Sequence, residues 1–162
     1  MAKLTFATFL VTAVSCVAAS TAVASAAPPS ASATMPLSAK WRACDFSQAK
    51  WVDAVGYTRA IAHVGTTGQG TVAAHVELAT SPPDTYFTVR IIQMPRPSIG
   101  CSPGDSGVIT GSLTTDAAGA GSVTLQGPVA SGKTGAWVVV ERPAANSQTP
   151  AEFLTTEFVA AI

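Results

Sequence analysis

The sequence predicts an all-β protein: an antiparallel β-sandwich, immunoglobulin-like or similar, of about seven strands with one disulfide. Three observations carry this. Apolar and polar residues alternate with period two from Tyr57 onward, and clusters of Gly, Pro, Asp and Ser separate the alternating runs. No segment sustains an amphipathic helical pattern. Two cysteines, Cys44 and Cys101, remain after the N-terminal segment is set aside, and an even pair in an exported chain reads as a disulfide.

The N-terminus reads as a signal peptide over residues 1–26. Lys3 supplies a positive start, Leu4 to Val14 an apolar core, and Val23-Ala24-Ser25-Ala26 the small residues that a signal peptidase reads. The alternative is a lipoprotein anchored through Cys16, since Ala13-Val14-Ser15-Cys16 is a loose lipobox. Residues 27–40, rich in Pro, Ser and Ala, read as a disordered linker. Residues 41–162 then form a single domain.

In that domain, Trp41 to Val55 fits either one helical turn or an edge strand at Ala43 to Phe46. Expected strands run from Tyr57 to Val64 and from Thr71 to Ala79, joined by the loop Gly65 to Gly70. In the second, Val72, Ala74, Val76 and Leu78 share the buried face, and Thr71, Ala73, His75 and Glu77 the other. Ser81-Pro82-Pro83-Asp84 is a turn, because consecutive prolines cannot donate to a ladder. Thr85 to Met94 is rich in β-branched and aromatic residues and is stopped by Pro95 and Pro97. Gly107 to Thr115 and Gly121 to Gln126 read as a hairpin around Asp116-Ala117-Ala118-Gly119. Ala136 to Glu141, almost continuously apolar, reads as a central strand covered on both faces, with Val139 buried. Leu154 to Ala160 closes the domain.

Charged residues make up 11% of the chain and the net charge is zero, against a usual charged share of about 25%. No Lys/Arg cluster is present, which argues against nucleic acid as a partner. No apolar run after residue 30 reaches the roughly 20 residues of a membrane-spanning helix.

One string looks like chemistry. Cys101-Ser102-Pro103-Gly104-Asp105-Ser106-Gly107 resembles the nucleophile loop of chymotrypsin-like serine proteases, in which the serine attacks a carbonyl beside an oxyanion hole. The resemblance ends there. Val108 stands where that family has a second glycine, and His63 and His75, the only histidines, lack the context of its catalytic base. The chain is too short for two barrels. No catalytic residue is therefore assigned, and a small serine hydrolase using Ser106 is the alternative reading. His63 and His75 are expected on an outer, solvent-facing side, and if Ala62 pairs with Ala74 they are diagonal neighbours there. Two imidazoles fall short of the three or four protein ligands of zinc, so neither metal nor cofactor is expected.

Trp41-Arg42-Ala43-Cys44-Asp45-Phe46, Val89-Arg90-Ile91-Ile92-Gln93, Cys101-Ser102-Pro103-Gly104-Asp105 and Ser147-Gln148-Thr149-Pro150-Ala151-Glu152-Phe153 together resemble small exported proteins of mycobacteria and related actinobacteria. The resemblance implies location and a β-sandwich class, and supplies no catalytic residues. The expected function is that of a secreted or cell-envelope module, binding or structural rather than enzymatic. Its partner would be an envelope or extracellular protein, a glycan or a lipid, and Trp41 and Trp51 are the candidate ligand-contact aromatics.

Overall fold

The computed structural model describes residues 31–49, 56–67 and 70–162. The signal peptide, its cleavage point, Cys16 and Trp51 lie outside the described residues. The described chain forms nine strands: β1 (Ala31–Ser38), β2 (Arg59–Thr66), β3 (Thr71–Ala79), β4 (Tyr86–Met94), β5 (Val108–Thr114), β6 (Gly121–Pro128), β7 (Gly135–Arg142), β8 (Glu152–Thr156) and β9 (Ala160–Ala161). All pairings are antiparallel, in the order β5-β4-β7-β8-β1-β2-β3-β6, with β9 beside β7. The sheet curls into a nearly closed barrel rather than splitting into the two layers of a sandwich. Period-two alternation separates an inner from an outer face in either architecture, so it left this choice open.

The inner face is the main core. Met35, Ala62, Val64, Val72, Val76, Phe87, Val89, Ile91 and Val138 are fully enclosed there. Trp137, Val139 and Ile92 point the other way, into a second cluster with Phe46, Met94 and Cys101. Thus β7 is covered on both faces, as its apolar run requires, and Val139 is buried.

The Pro/Ser/Ala tract read as linker contains a strand. In β1, Met35 and Leu37 alternate inward, but short Ala, Ser and Thr neighbours mute the pattern. Pro36 is tolerated because its backbone faces β8: its carbonyl accepts from Glu157 N–H at 3.2 Å, while it stands opposite Ile61 on the β2 side. In an antiparallel strand N–H and C=O of one residue point the same way, so the missing donor costs no bond to β2.

The expected hairpin has its turn but not its ladder. Asp116 Oδ1 accepts from Ala118 and Ala120 N–H at 2.8 and 2.9 Å, and Gly119 takes φ 75°. Yet β5 hydrogen-bonds to β4 and β6 to β3. Side chains fill the seam between β5 and β6. Ile109 lies over Gly127, Leu125 over Gly111 and Leu113 over Gly121, so close that an added Cβ would stand 2.8, 3.1 and 3.1 Å away. At the ends of the barrel, buried polar groups bridge the loops. Gln93 donates to the Pro128 carbonyl at 3.0 Å and accepts from Ala130 N–H at 2.8 Å. The Thr115 hydroxyl donates to the Pro82 carbonyl at 2.6 Å.

A Cβ on Gly119 would lie 2.0 Å from the Ser81 carbonyl oxygen. Gly119→Ala is therefore expected to cost about 1–3 kcal/mol through strain at positive φ, and urea unfolding of the variant measures it.

The closing strand is also divided: β8 ends at Thr156 and β9 starts at Ala160. Residues 41–49 form neither helix nor long strand. A single bridge, Arg42 to Gln48, closes a tight loop in which Phe46 takes φ 70°.

Candidate functional site

The disulfide joins Cys44 in this loop to Cys101 in the loop between β4 and β5, with their Cα atoms 5.6 Å apart. It holds residues 41–46 against the outer face of β4, β7 and β8. Such a bond belongs to an oxidising, extracytoplasmic compartment. No helix among the described residues is long and apolar enough to cross a membrane.

The strapped loop forms one wall of a groove of about 630 Å³. Trp41, Cys44 and Cys101 stand on this side, and Pro143, Ser147, Gln148 and Pro150 on the other. The floor comes from the outward positions of the sheet: Thr88, Arg90 and Ile92 of β4, Trp137, Val139 and Glu141 of β7, and Phe153 and Thr155 of β8. Trp41 is half-buried and meets Phe153 edge-on at 5.0 Å between ring centres. This contact fixes the indole at the groove wall.

Arg90 and Glu141 are the charged centre of the floor. They are separated by 51 residues in the chain and meet at 2.5 Å. The Thr88–Glu141 and Arg90–Val139 pairings of β4 and β7 make them diagonal neighbours on one face. Arg90 also donates to the Cys101 carbonyl at 2.8 Å, so the ion pair and the disulfide brace each other. Both side chains are less than one-fifth exposed. The pair leaves the floor without net charge but with donors and acceptors in fixed positions. The indole N–H of Trp137, a residue 1% exposed, finds no acceptor among the described residues.

Arg42 braces the wall from behind. Its guanidinium lies 3.9 Å from the centre of the Phe46 ring and donates to the Phe46 carbonyl at 3.1 Å. Burial pushes its pKa down, against the pull of Glu157. The Glu157 carboxyl is held below the ordinary range by the Lys40 hydrogen bond and by the charges of Lys40 and Arg42. A depressed carboxyl stabilises the fold above its unfolded pKa, and that contribution is lost as pH falls through the folded value. The Lys40–Glu157–Arg42 link is therefore expected to weaken below about pH 4.5. Urea midpoints followed from pH 7 to 3 should fall less steeply in Glu157→Gln than in the wild type.

Among the described residues, no hydrogen bond joins the Ser106 hydroxyl to a histidine. The loop around Ser106 is a turn stapled by Asp105, whose carboxylate accepts from Ser102 N–H at 2.8 Å and whose carbonyl accepts from Val108 N–H at 3.0 Å. Arg96 donates to the Ser106 carbonyl at 2.6 Å. Gly104 and Gly107 both take positive φ. The two histidines lie on β2 and β3 and use Nδ1 on Thr34 and Thr124.

Their register differs by two residues from a pairing of Ala62 with Ala74. Ala62 pairs with Val76, so His63 stands directly opposite His75. A two-residue slip preserves which face each side chain takes, which is why the outer-face placement holds while the diagonal relation does not.

The structure thus brings Trp41 and both cysteines together at one groove. Sequence reasoning missed Arg90 and Glu141. Their available signal was two opposite charges embedded in the two most apolar strands. No protein-family model matches the chain, and no curated protein or solved structure shows significant similarity to it.

Proposed function

We propose that this is a secreted or cell-envelope, non-enzymatic binding module whose groove takes an oligosaccharide. The observation that carries the reading is the Arg90–Glu141 pair set beneath the Trp41 wall. A charge-compensated floor suits a neutral, hydroxyl-rich ligand better than an ionic one, because an ionic ligand would compete with the existing pair. The apolar flank of Trp41 can cover the C–H face of a sugar ring. Thr88, Ser98, Ser102, Ser147 and Gln148 line the same space and can exchange hydrogen bonds with hydroxyls. A protein and a lipid surface are the other partners expected from the sequence. The disulfide and the resemblance to small exported actinobacterial proteins support the location. Secretion after cleavage at Ala26 is favoured over anchoring through Cys16.

Labelled chain beginning at Ala27 should bind a subset of a bacterial glycan array. Trp41→Ala and Glu141→Gln should each lower that binding at least about tenfold, or about 1.4 kcal/mol, with unchanged circular dichroism. Binding that survives both substitutions would remove the groove from the account.

A further inference from the structure

Two buried side-chain donors on the groove have no acceptor among the described residues. Trp137 lines the groove and is 1% exposed, and its indole N–H is unpaired. Arg42 lines it too, with a side chain 9% exposed, and Nε is unpaired while Nη1 serves the Phe46 carbonyl. Both atoms donate and cannot accept, so no change of rotamer or tautomer turns either into an acceptor. Buried polar groups are nearly always paired, because a donor withdrawn from water without a new acceptor destabilises the fold. The surroundings of the indole offer none. Ile92 stands opposite Trp137 in the β4–β7 ladder. Ile92, Val139, Phe46 and Cys101 share its cluster, and Phe46 meets the ring edge-on at 5.5 Å between centres. None of these side chains carries an oxygen.

We propose that this part of the groove is a subsite for an N-acetyl group, so that the oligosaccharide it takes contains N-acetylhexosamine units and Trp137 selects them. This rests on the groove being a glycan site. The acetamido carbonyl accepts from the Trp137 indole N–H, and the acetamido methyl packs beside Ile92, Val139 and Cys101. The acetamido N–H turns to the hydroxyls of Ser98 and Ser102, which line the groove on either side of Cys101 in the chain. Other sugar substituents suit the place less well. A hydroxyl can accept from the indole, but it brings a proton that needs an acceptor of its own, and the apolar cluster has none. A carboxylate or a free amine would bring a charge out of water beside an Arg90–Glu141 pair that is already compensated.

The indole N–H is closed to water, so contact requires groove-lining atoms to give way. The loop between β4 and β5 is placed to do this. Ser98, Ile99, Gly100 and Ser102 line the groove and are exposed, Ile99 to 76%. A Cβ added to Gly100 would meet nothing within 4 Å. These residues can shift without disturbing the barrel core, while Cys101 stays anchored by its disulfide.

The test titrates ¹⁵N-labelled full chain with chitotetraose and with cellotetraose, two β-1,4-linked tetramers that differ in carrying an acetamido group or a hydroxyl at C2. Chitotetraose should bind at least about tenfold more tightly. It should move the Trp137 indole N–H signal downfield, and cellotetraose should leave that signal in place. Trp137→Phe keeps an aromatic ring and removes the donor. It should reduce the preference to about threefold or less with cellotetraose affinity unchanged, whereas a merely structural role would weaken both tetramers alike. If Trp137→Phe fails to fold, the wild-type affinities and indole signal give the decision. Equal affinity for the two tetramers, or an indole signal that chitotetraose leaves unmoved, would overturn the proposal. Array glycans without N-acetyl groups that bind and are lost with Trp41→Ala would overturn the subsite and leave the groove standing. Binding of no glycan at all would remove both.

Discussion

Reduction of Cys44–Cys101, or Cys101→Ser, is expected to lower the unfolding free energy by about 2–5 kcal/mol. The bond closes a span of 57 residues, for which loop-closure entropy alone gives roughly 4 kcal/mol in the unfolded state. The folded state adds a second consequence. Cys101 packs on the Trp137, Ile92 and Val139 cluster, and its carbonyl holds Arg90. Freeing the loop therefore exposes the outer face of β7 and loosens the ion pair beneath it. Chemical denaturation with and without reductant measures the loss. Two free thiols titrating in the native oxidised protein would contradict the bond itself.

Val139→Asp is expected to be the most damaging single substitution described here, costing more than about 4 kcal/mol. Val139 is 5% exposed and pairs with Arg90 on one side and Thr155 on the other. An aspartate there would bring a carboxylate into an apolar cluster, in the middle of the strand that both cores share. Arg90 is close in the ladder but already committed to Glu141 and Cys101, so rescue by pairing would break two existing bonds. His75→Asn should change stability by no more than about 1 kcal/mol, because His75 sits half-exposed on the outer face, with one hydroxyl partner and the exposed Glu77 carboxylate nearby. Comparable large losses from both substitutions would show that inward and outward positions are misassigned.

The contrast between these residues marks what was legible in the sequence. Parity along a strand follows from alternation, so the buried side of β3 and the double covering of β7 could be read directly. Register does not follow from alternation. Pairing β2 to β3 two residues differently keeps every face and moves His63 from a diagonal to a directly opposite position, which is the difference between two surface imidazoles and a rung. Turn chemistry was equally legible at Asp116 and Gly119. A turn fixes where the chain reverses but not that its arms must pair, and here Ile109, Leu113 and Leu125 wedge β5 from β6. β1 was hidden because Ala, Ser and Pro carry little of the apolar contrast that marks a strand. The groove was hidden for a different reason. Arg90 and Glu141 come from strands far apart in the chain, and only the β4–β7 ladder makes them neighbours. The cysteines supplied the one long-range link that sequence could offer, and Trp41 followed from its place beside Cys44.

The central claim is that the disulfide-strapped groove, not another face of the barrel, receives the ligand. The most direct test is a two-dimensional ¹H–¹⁵N titration of the chain from Ala27 with the strongest-binding oligosaccharide from the array. The account predicts shifts in the indole N–H signals of Trp41 and Trp137, in the Arg90 side chain and in the backbone of Cys101 and Ser102, with the signals of His63, His75 and Ser106 unmoved. Shifts confined to the β2–β3 face or to the loop around Ser106, with the two indole signals unchanged, would contradict it.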